Sequence, residues 1–182
     1  DGPCRFGQYR IFLEDLIEKR KIKNAAILSL SDEDSYGGLG TNFTIRGWAA
    51  ITIGDVYQNI RNAAVALAHN KEFALEVIEI EWNKILNSIR SDSLNGIFKQ
   101  LKKSALELRK IELKSDIKKA KKIFLTGEIF VRNDEFSKAN LLDLLAKKNF
   151  VAKIAPIGEY VYYSNFMARF EKDKKYSLKN EI

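Results

Sequence analysis

The stretch "KKIFLTGEIFVRNDEFSKANLLDLLAKKNFVAKIAPIG", residues 121–158, decides the fold. Ile123–Leu125 is a short apolar run closed by Thr126-Gly127, and "FVAKIAPIG" holds a second run closed by Pro156. Between them, "KANLLDLLAKKN" carries leucines at helical spacing, with Ser137 placed to N-cap it and Asn149 to stop it. Strand, helix and strand joined by short connections imply a right-handed parallel crossover. Open parallel sheets put function in the loops beyond the strands' C-terminal ends. The loop "GEIFVRNDEF" is therefore a candidate site, with Glu128 and Arg132 either contacting a ligand or pairing to hold the loop. Asp134 and Glu135 can do carboxylate chemistry, and they equally suit the approach to a helix N-terminus.

A similar unit opens the chain. Arg10–Lys21 has apolar residues at Ile11, Phe12, Leu16 and Ile17, a helix with one buried face, broken at Lys23-Asn24. "AAILSLS", Ala25–Ser31, reads as a buried parallel strand. The loop "SDEDSYGGLG" follows, offering Ser31, Gly37, Gly38 and Gly40 as ligand-binding positions. From Thr44 to Lys119 the pattern is mostly helical, with breaks expected near Asn70, at "SDS" (Ser91–Ser93) and at Gly54. Phe73, Val77, Ile80, Ile85 and Ile89 form one expected apolar stripe. Leu94, Ile97, Phe98, Leu101, Ala105, Leu108 and Ile111 form another. "EYVYYSNFMARF" reads as an aromatic-rich closing helix, with Trp48, Tyr160, Tyr162 and Tyr163 as core or interface residues.

The expected class is α/β: a parallel sheet flanked by helices, with strands at Ala25–Leu30, Ile123–Leu125 and Val151–Ala155 and a long helical insert between the first and second. The corresponding segments are residues 1–43, 44–120, 121–170 and a charged tail, 171–182.

Composition bounds the chemistry. The chain of 182 residues is 46% hydrophobic, enough for a proper core. One cysteine excludes an internal disulfide framework and points to a reducing, cytoplasmic compartment. One Cys and one His cannot complete a metal site of those residue types within a single copy. No apolar run reaches membrane-spanning length. The start at Asp1 reads as the end of an excised piece of a longer protein, although a removed tag or a processed end would look the same. Ten Lys/Arg against three acidic residues between Lys99 and Lys122 supply the whole net charge of +7. No aromatic platforms interleave with them, so the segment is read as a solvated face without specific nucleic-acid binding.

The glycine loops lack the Gly-Lys-Ser/Thr ending of an ATPase phosphate loop, although a loop entering a helix can cradle phosphate through its N–H groups. His69, at an expected helix end, has no sequence support as a catalytic base. Cys4 lies in "GPCRFGQ", beside Arg5 and near Gln8. It reads either as a small buried residue or as a thiolate stabilised by Arg5, and sulfur suits iron. If the three polar, glycine-bearing segments converge, they make one site.

Five segments, "GPCRFGQYR", "LSLSDEDSYGGLGTNF", "RGWAAITIGDVYQNI", "LTGEIFVRNDEFSKANLLDLLAKKNF" and "APIGEYVYYSNF", together resemble the 2-hydroxyacyl-CoA dehydratase-like family. The likeness is to the C-terminal region of the fused CoA-substrate-specific enzyme activases, the 2-hydroxyglutaryl-CoA dehydratase activator-related proteins. "GPCRFGQY" and "GEIFVRND" carry it most specifically, and Asn70–Lys119 carries little. The resemblance implies an ATP-dependent activase of anaerobic metabolism, in which ATP hydrolysis drives an electron from an iron–sulfur cluster to a dehydratase. That dehydratase holds a cubane (4Fe–4S) cluster largely by cysteines. It implies that Cys4 is an iron–sulfur ligand in the full-length protein only, and that no cofactor belongs to the isolated piece. The partners it implies are the ATPase and N-terminal dehydratase-like regions of the parent chain, and a CoA ester or a CoA dehydratase. The present chain lacks ATPase phosphate loops and a cysteine set, so it is expected to be inactive alone. The alternatives are a phosphate-, CoA- or nucleotide-binding module and a purely structural interaction domain.

Overall fold

The computed structural model describes residues 8–27, 38–138, 140–160, 162–163, 166–167 and 169. The chain divides into two compact units, Asp1–Ile45 and Arg46–Ile182. In the first, α1 (Gln8–Lys19) ends where Lys21 and Asn24 turn left-handed, matching the expected break. None of its residues is buried: Ile11 and Phe12 are more than half exposed. The expected buried face is thus absent, because amphipathic spacing says which face can bury and not whether anything covers it. Ala25–Ile27 carry no strand assignment, and Leu28–Leu30 lie outside the described residues, as do Cys4, Arg5, Ser31 and Gly37.

The helix α2 (Gly40–Leu67) begins in the first unit and runs on as the spine of the second. It passes through Gly54 without a break. A Cβ there would sit 3.9 Å from the Trp82 ring, so the glycine lies against a neighbour within an intact helix. After α2 come α3 (Lys71–Ser91) and α4 (Leu94–Leu108). Both expected breaks between them are present and capped: Asn70 Oδ1 accepts from Phe73 N at 3.0 Å, and Ser93 Oγ from Gly96 N at 3.3 Å. Past α4 the chain crosses back over the end of α2, where Leu67 O accepts from Lys114 N at 2.8 Å, filling one carbonyl left open at the helix C-terminus.

Strands β1 (Lys121–Leu125) and β2 (Phe150–Ile154) pair in parallel, Lys121 opposite Phe150 and Leu125 opposite Ile154. The crossover between them is not one helix. It comprises α5 (Ile129–Asn133), α6 (Glu135–Lys138) and α7 (Leu141–Lys147). Ser137 does not cap α7; it sits inside α6, and its own N–H donates to Asp134 Oδ2 at 2.6 Å. Asn149, at φ 59°, reverses the chain into β2. The described residues are thus predominantly helical around a two-stranded parallel sheet, an α/β arrangement.

The alanine-rich end of α2 lets neighbours approach on two sides. Ala63, Ala66 and Leu67 pack on Val151 of β2, with Ala120 and Ala146 beside them. Ala64 and Ala68 pack on Ala74 and Ile78 of α3. A third cluster joins Ile85, Ile89 and Ile97 to Ala50, Ile53 and Trp82.

The buried stripe of α3 is Ala74, Ile78, Glu81, Ile85, Ser88 and Ile89. Phe73 and Ile80, expected inside, are 56% and 48% exposed, as is Phe98 of α4 at 62%. Two polar residues, Glu81 and Ser88, occupy the true stripe and hid it from an apolar count.

Glu81 is 3% exposed. Its carboxylate accepts from Lys84 Nζ at 2.6 Å and from Ser104 Oγ, on α4, at 2.7 Å. Burial pushes its pKa up, but the hydrogen bonds from Lys84 and Ser104 and the nearby positive charge outweigh burial and hold it below the ordinary 4.5. A carboxyl whose folded pKa lies below its unfolded value adds stability that is complete above the unfolded pKa and is lost as pH falls through the folded one. Urea unfolding followed against pH should therefore show stability declining below about pH 4.5, with Glu81→Gln flattening that decline and lowering stability at neutral pH. An unchanged acid limb in the variant would show that Glu81 does not contribute to it.

Candidate functional site

Chemistry-bearing residues gather at the C-terminal end of the parallel pair. β1 runs into Gly127, whose φ of +125° is open to glycine and costly for other residues. Glu128 then caps α5, its Oε2 accepting from Val131 N at 2.8 Å. One turn later Arg132 reaches back and donates to Gly127 O and, at 3.3 Å, to Pro156 O. A single guanidinium thus ties the loop after β1 to the loop after β2. Glu128 and Arg132 are brought to one loop, and each bonds backbone there rather than the other's side chain. Arg132 Nε is buried and has no hydrogen-bond partner among the described residues.

The other tie comes from α2. Asp55 Oδ1 accepts from Ile157 N and Asp55 Oδ2 from Gly158 N, both at 2.8 Å. Helical backbone begins at Gly158, so Asp55 caps that first turn from a distant helix. The approach depends on glycine, since a Cβ at residue 158 would lie 3.3 Å from Asp55 Oδ2. Asn59, one turn along α2, accepts from Ile154 N at 3.3 Å. Ala155 N bonds Leu125 O, so alternate residues of β2, Ile154 among them, turn their backbone groups away from β1. Asn59 supplies the partner that a further strand would give.

Asp134 caps α6 through Ser137 N, and the hydrogen bonds from Ser137 hold its carboxyl below the usual range. Glu135 pairs with the buried Lys138 at 2.9 Å. Both acidic residues serve the helix entry. Tyr57 donates to Glu79 Oε2 at 3.1 Å, and burial together with that carboxylate pushes its hydroxyl up to about 12. His69 is exposed just beyond α2, while Tyr160, Tyr162 and Tyr163 are exposed by 51–76% rather than enclosed in a core.

Of the residues expected to bind ligand, Gln8 is the exposed first residue of α1. Gly38 and Gly40 form the turn into α2 at φ 70° and 80°. These three belong to the first unit, and Glu128 and Arg132 to the second. Asp55, Asn59 and Asn62 were not singled out in the sequence. Their signal is polar residues at i, i+4 and i+7 on an otherwise apolar helix. Among the described residues no group of three or more His, Cys, Asp or Glu could hold a metal ion, and one cysteine cannot ligate a cubane cluster alone. No described helix is long and apolar enough to cross a membrane. No protein-family model, curated protein or solved structure matches the chain.

Asp55→Ala removes both acceptors from two backbone N–H groups. It should lower unfolding stability by about 1–3 kcal/mol, against a change within about 0.5 kcal/mol for the exposed Glu76→Ala. Equal effects in chemical denaturation would mean that the α2 tie is not formed.

Proposed function

We propose that the chain is a dehydratase-like domain from the C-terminal region of an ATP-dependent CoA-substrate enzyme activase, inactive alone. It would complete a cluster or ligand cleft and dock against the ATPase and N-terminal dehydratase-like regions of its parent. One observation carries the reading. Three of the five segments on which the resemblance rests interlock: "RGWAAITIGDVYQNI" supplies Asp55 and Asn59, "GEIFVRND" supplies Arg132, and "APIGEY" donates Ile157 N and Gly158 N to Asp55 and accepts from Arg132 at Pro156 O. A family signature spread over distant segments has a physical basis if those segments build one edge.

In this proposal the first apolar run, Ala25–Leu30, joins β1 and β2 in a parallel sheet flanked by helices. The helices from Thr44 to Lys119 are then an insert between the first and second strands. Ser31, Gly37, Gly38, Gly40, Arg5 and Gln8, like Glu128 and Arg132, would serve as ligand-binding positions in the parent protein. Cys4 would serve a cluster only with ligands from elsewhere in the parent, in the cytoplasm. The exposed apolar face of α1, Ile11 and Phe12 above all, supports docking to a neighbouring domain.

Expressed without oxygen, this chain alone should be colourless and show no ATP hydrolysis. In the full-length protein, Cys4→Ala should lower iron and sulfide content, and deletion of this domain should abolish ATP-dependent reduction of a low-potential acceptor. An iron–sulfur absorption band in the isolated monomer, or undiminished electron transfer after deletion, would contradict the proposal.

A further inference from the structure

A cleft of about 360 Å³ opens beside α2 within the second unit, lined by Tyr57, Arg61, Asn62, Trp82, Asn133 and Glu135 among others. A smaller cavity of about 160 Å³ shares Arg61, Asn62 and Glu135 and reaches the edge of β2 at Phe150 and Ala152. Asn62 therefore lies where the two spaces meet. It is only 4% exposed, and its Nδ2 has no hydrogen-bond partner among the described residues. A buried amide left unpaired costs about 1–3 kcal/mol, and such a group needs a reason.

The two carboxylates of the lining, Asp55 and Glu135, already have partners. Both Asp55 oxygens take backbone N–H groups. Glu135 Oε1 takes Lys138 Nζ, so its charge is met by a buried cation. Among the amide donors, Asn133 Nδ2 is used by Ile129 O. Two donors remain: among the described residues Asn62 Nδ2 is unpaired, and the exposed Arg61 makes no ion pair or hydrogen bond. The wall is aromatic, with the Tyr57 and Trp82 rings stacked at 4.3 Å between centroids and 24° between planes.

We propose that this cleft binds a small organic oxyanion, a carboxylate or phosphate monoester carried on a flat apolar body. Arg61 supplies the charge, Asn62 the directional donor and the Trp82–Tyr57 wall the apolar contact. A guanidinium and an amide offer N–H groups only to acceptors, and charge-assisted hydrogen bonds of this kind are the strong ones. The cleft takes Asn133 and Glu135 from the segment that follows Glu128, but the proposal rests on Arg61, Asn62 and the Trp82–Tyr57 wall and stands whether or not the dehydratase-like reading does.

The test uses the whole chain labelled with ¹⁵N. The indole N–H resonance of Trp82 is assigned with Trp48→Phe, since the chain has two tryptophans. Benzoate and phenyl phosphate are titrated separately. Saturable movement of the Trp82 resonance is expected with at least one of them, and the tighter probe identifies carboxylate or phosphate as the source of the oxyanion. Arg61→Gln, on an exposed side chain that leaves the fold intact, should weaken binding roughly tenfold or more. Asn62→Asp, which exchanges the donor for a carboxylate of the same shape, should abolish it. Absence of a saturable shift with both probes, or Arg61→Gln binding as tightly as the parent, would overturn the proposal, even if Asn62→Asp fails to fold.

Discussion

Everything at the C-terminal end of the parallel pair depends on one carboxylate, that of Asp55, lying under the turn at Ile157 and Gly158. A helix and a turn about a hundred residues away in sequence are held by two hydrogen bonds that uncharged N–H groups donate to a carboxylate. Such bonds are stronger than those between neutral partners. Asn59 extends the same polar line to Ile154 N, and Asn62 extends it further, into the shared cavity. One face of α2 thus closes the outer edge of a two-stranded sheet that has too few strands to protect itself. Its neighbouring faces, rich in alanine, supply the packing against β2 and α3. The polar line fixes register, and the alanines bring the backbones close.

That division of labour explains how much of the fold and site was legible. The β1–crossover–β2 unit stood out because short apolar runs were punctuated by Thr126-Gly127, Asn149 and Pro156, and local signals of that kind survive tertiary packing. The breaks at Asn70 and at Ser91–Ser93 were legible for the same reason, since capping is local. Four readings failed. Gly54 looked like a breaker, but its position against Trp82 serves packing inside a continuous helix. The α3 stripe was placed on Phe73 and Ile80 because the true stripe contains Glu81, which becomes tolerable in the core only once Lys84 and Ser104 meet it. Ser137 looked like a cap, yet the preceding Asp134 took that role one short helix earlier. The α1 face looked buried, yet none of its residues is. Glu128 and Arg132 stand in the loop after β1, where their place behind an apolar run put them, and there they bond backbone. Asp55, Asn59 and Asn62 were missed, since their partners are remote in sequence.

The charge distribution fits the same picture. The basic segment from Lys99 to Lys122 spans the end of α4, the return across α2 and the start of β1, and its lysines are exposed. Long lysines on such a surface keep their charged ends hydrated and add little to the packing below. The donors of the cleft are of another kind, an exposed arginine and a buried amide beside stacked rings.

Amide hydrogen exchange resolved by residue tests the Asp55 tie most directly. Ile157 and Gly158 follow β2 and belong to no ladder, so loop backbone there would exchange at the rate of an open chain. With Asp55 beneath them, their amide protons should be protected to the same degree as that of Ile154, and all three should open together. Fast exchange at Ile157 and Gly158 beside a protected β1–β2 ladder would show that α2 does not hold this edge, and would contradict the account.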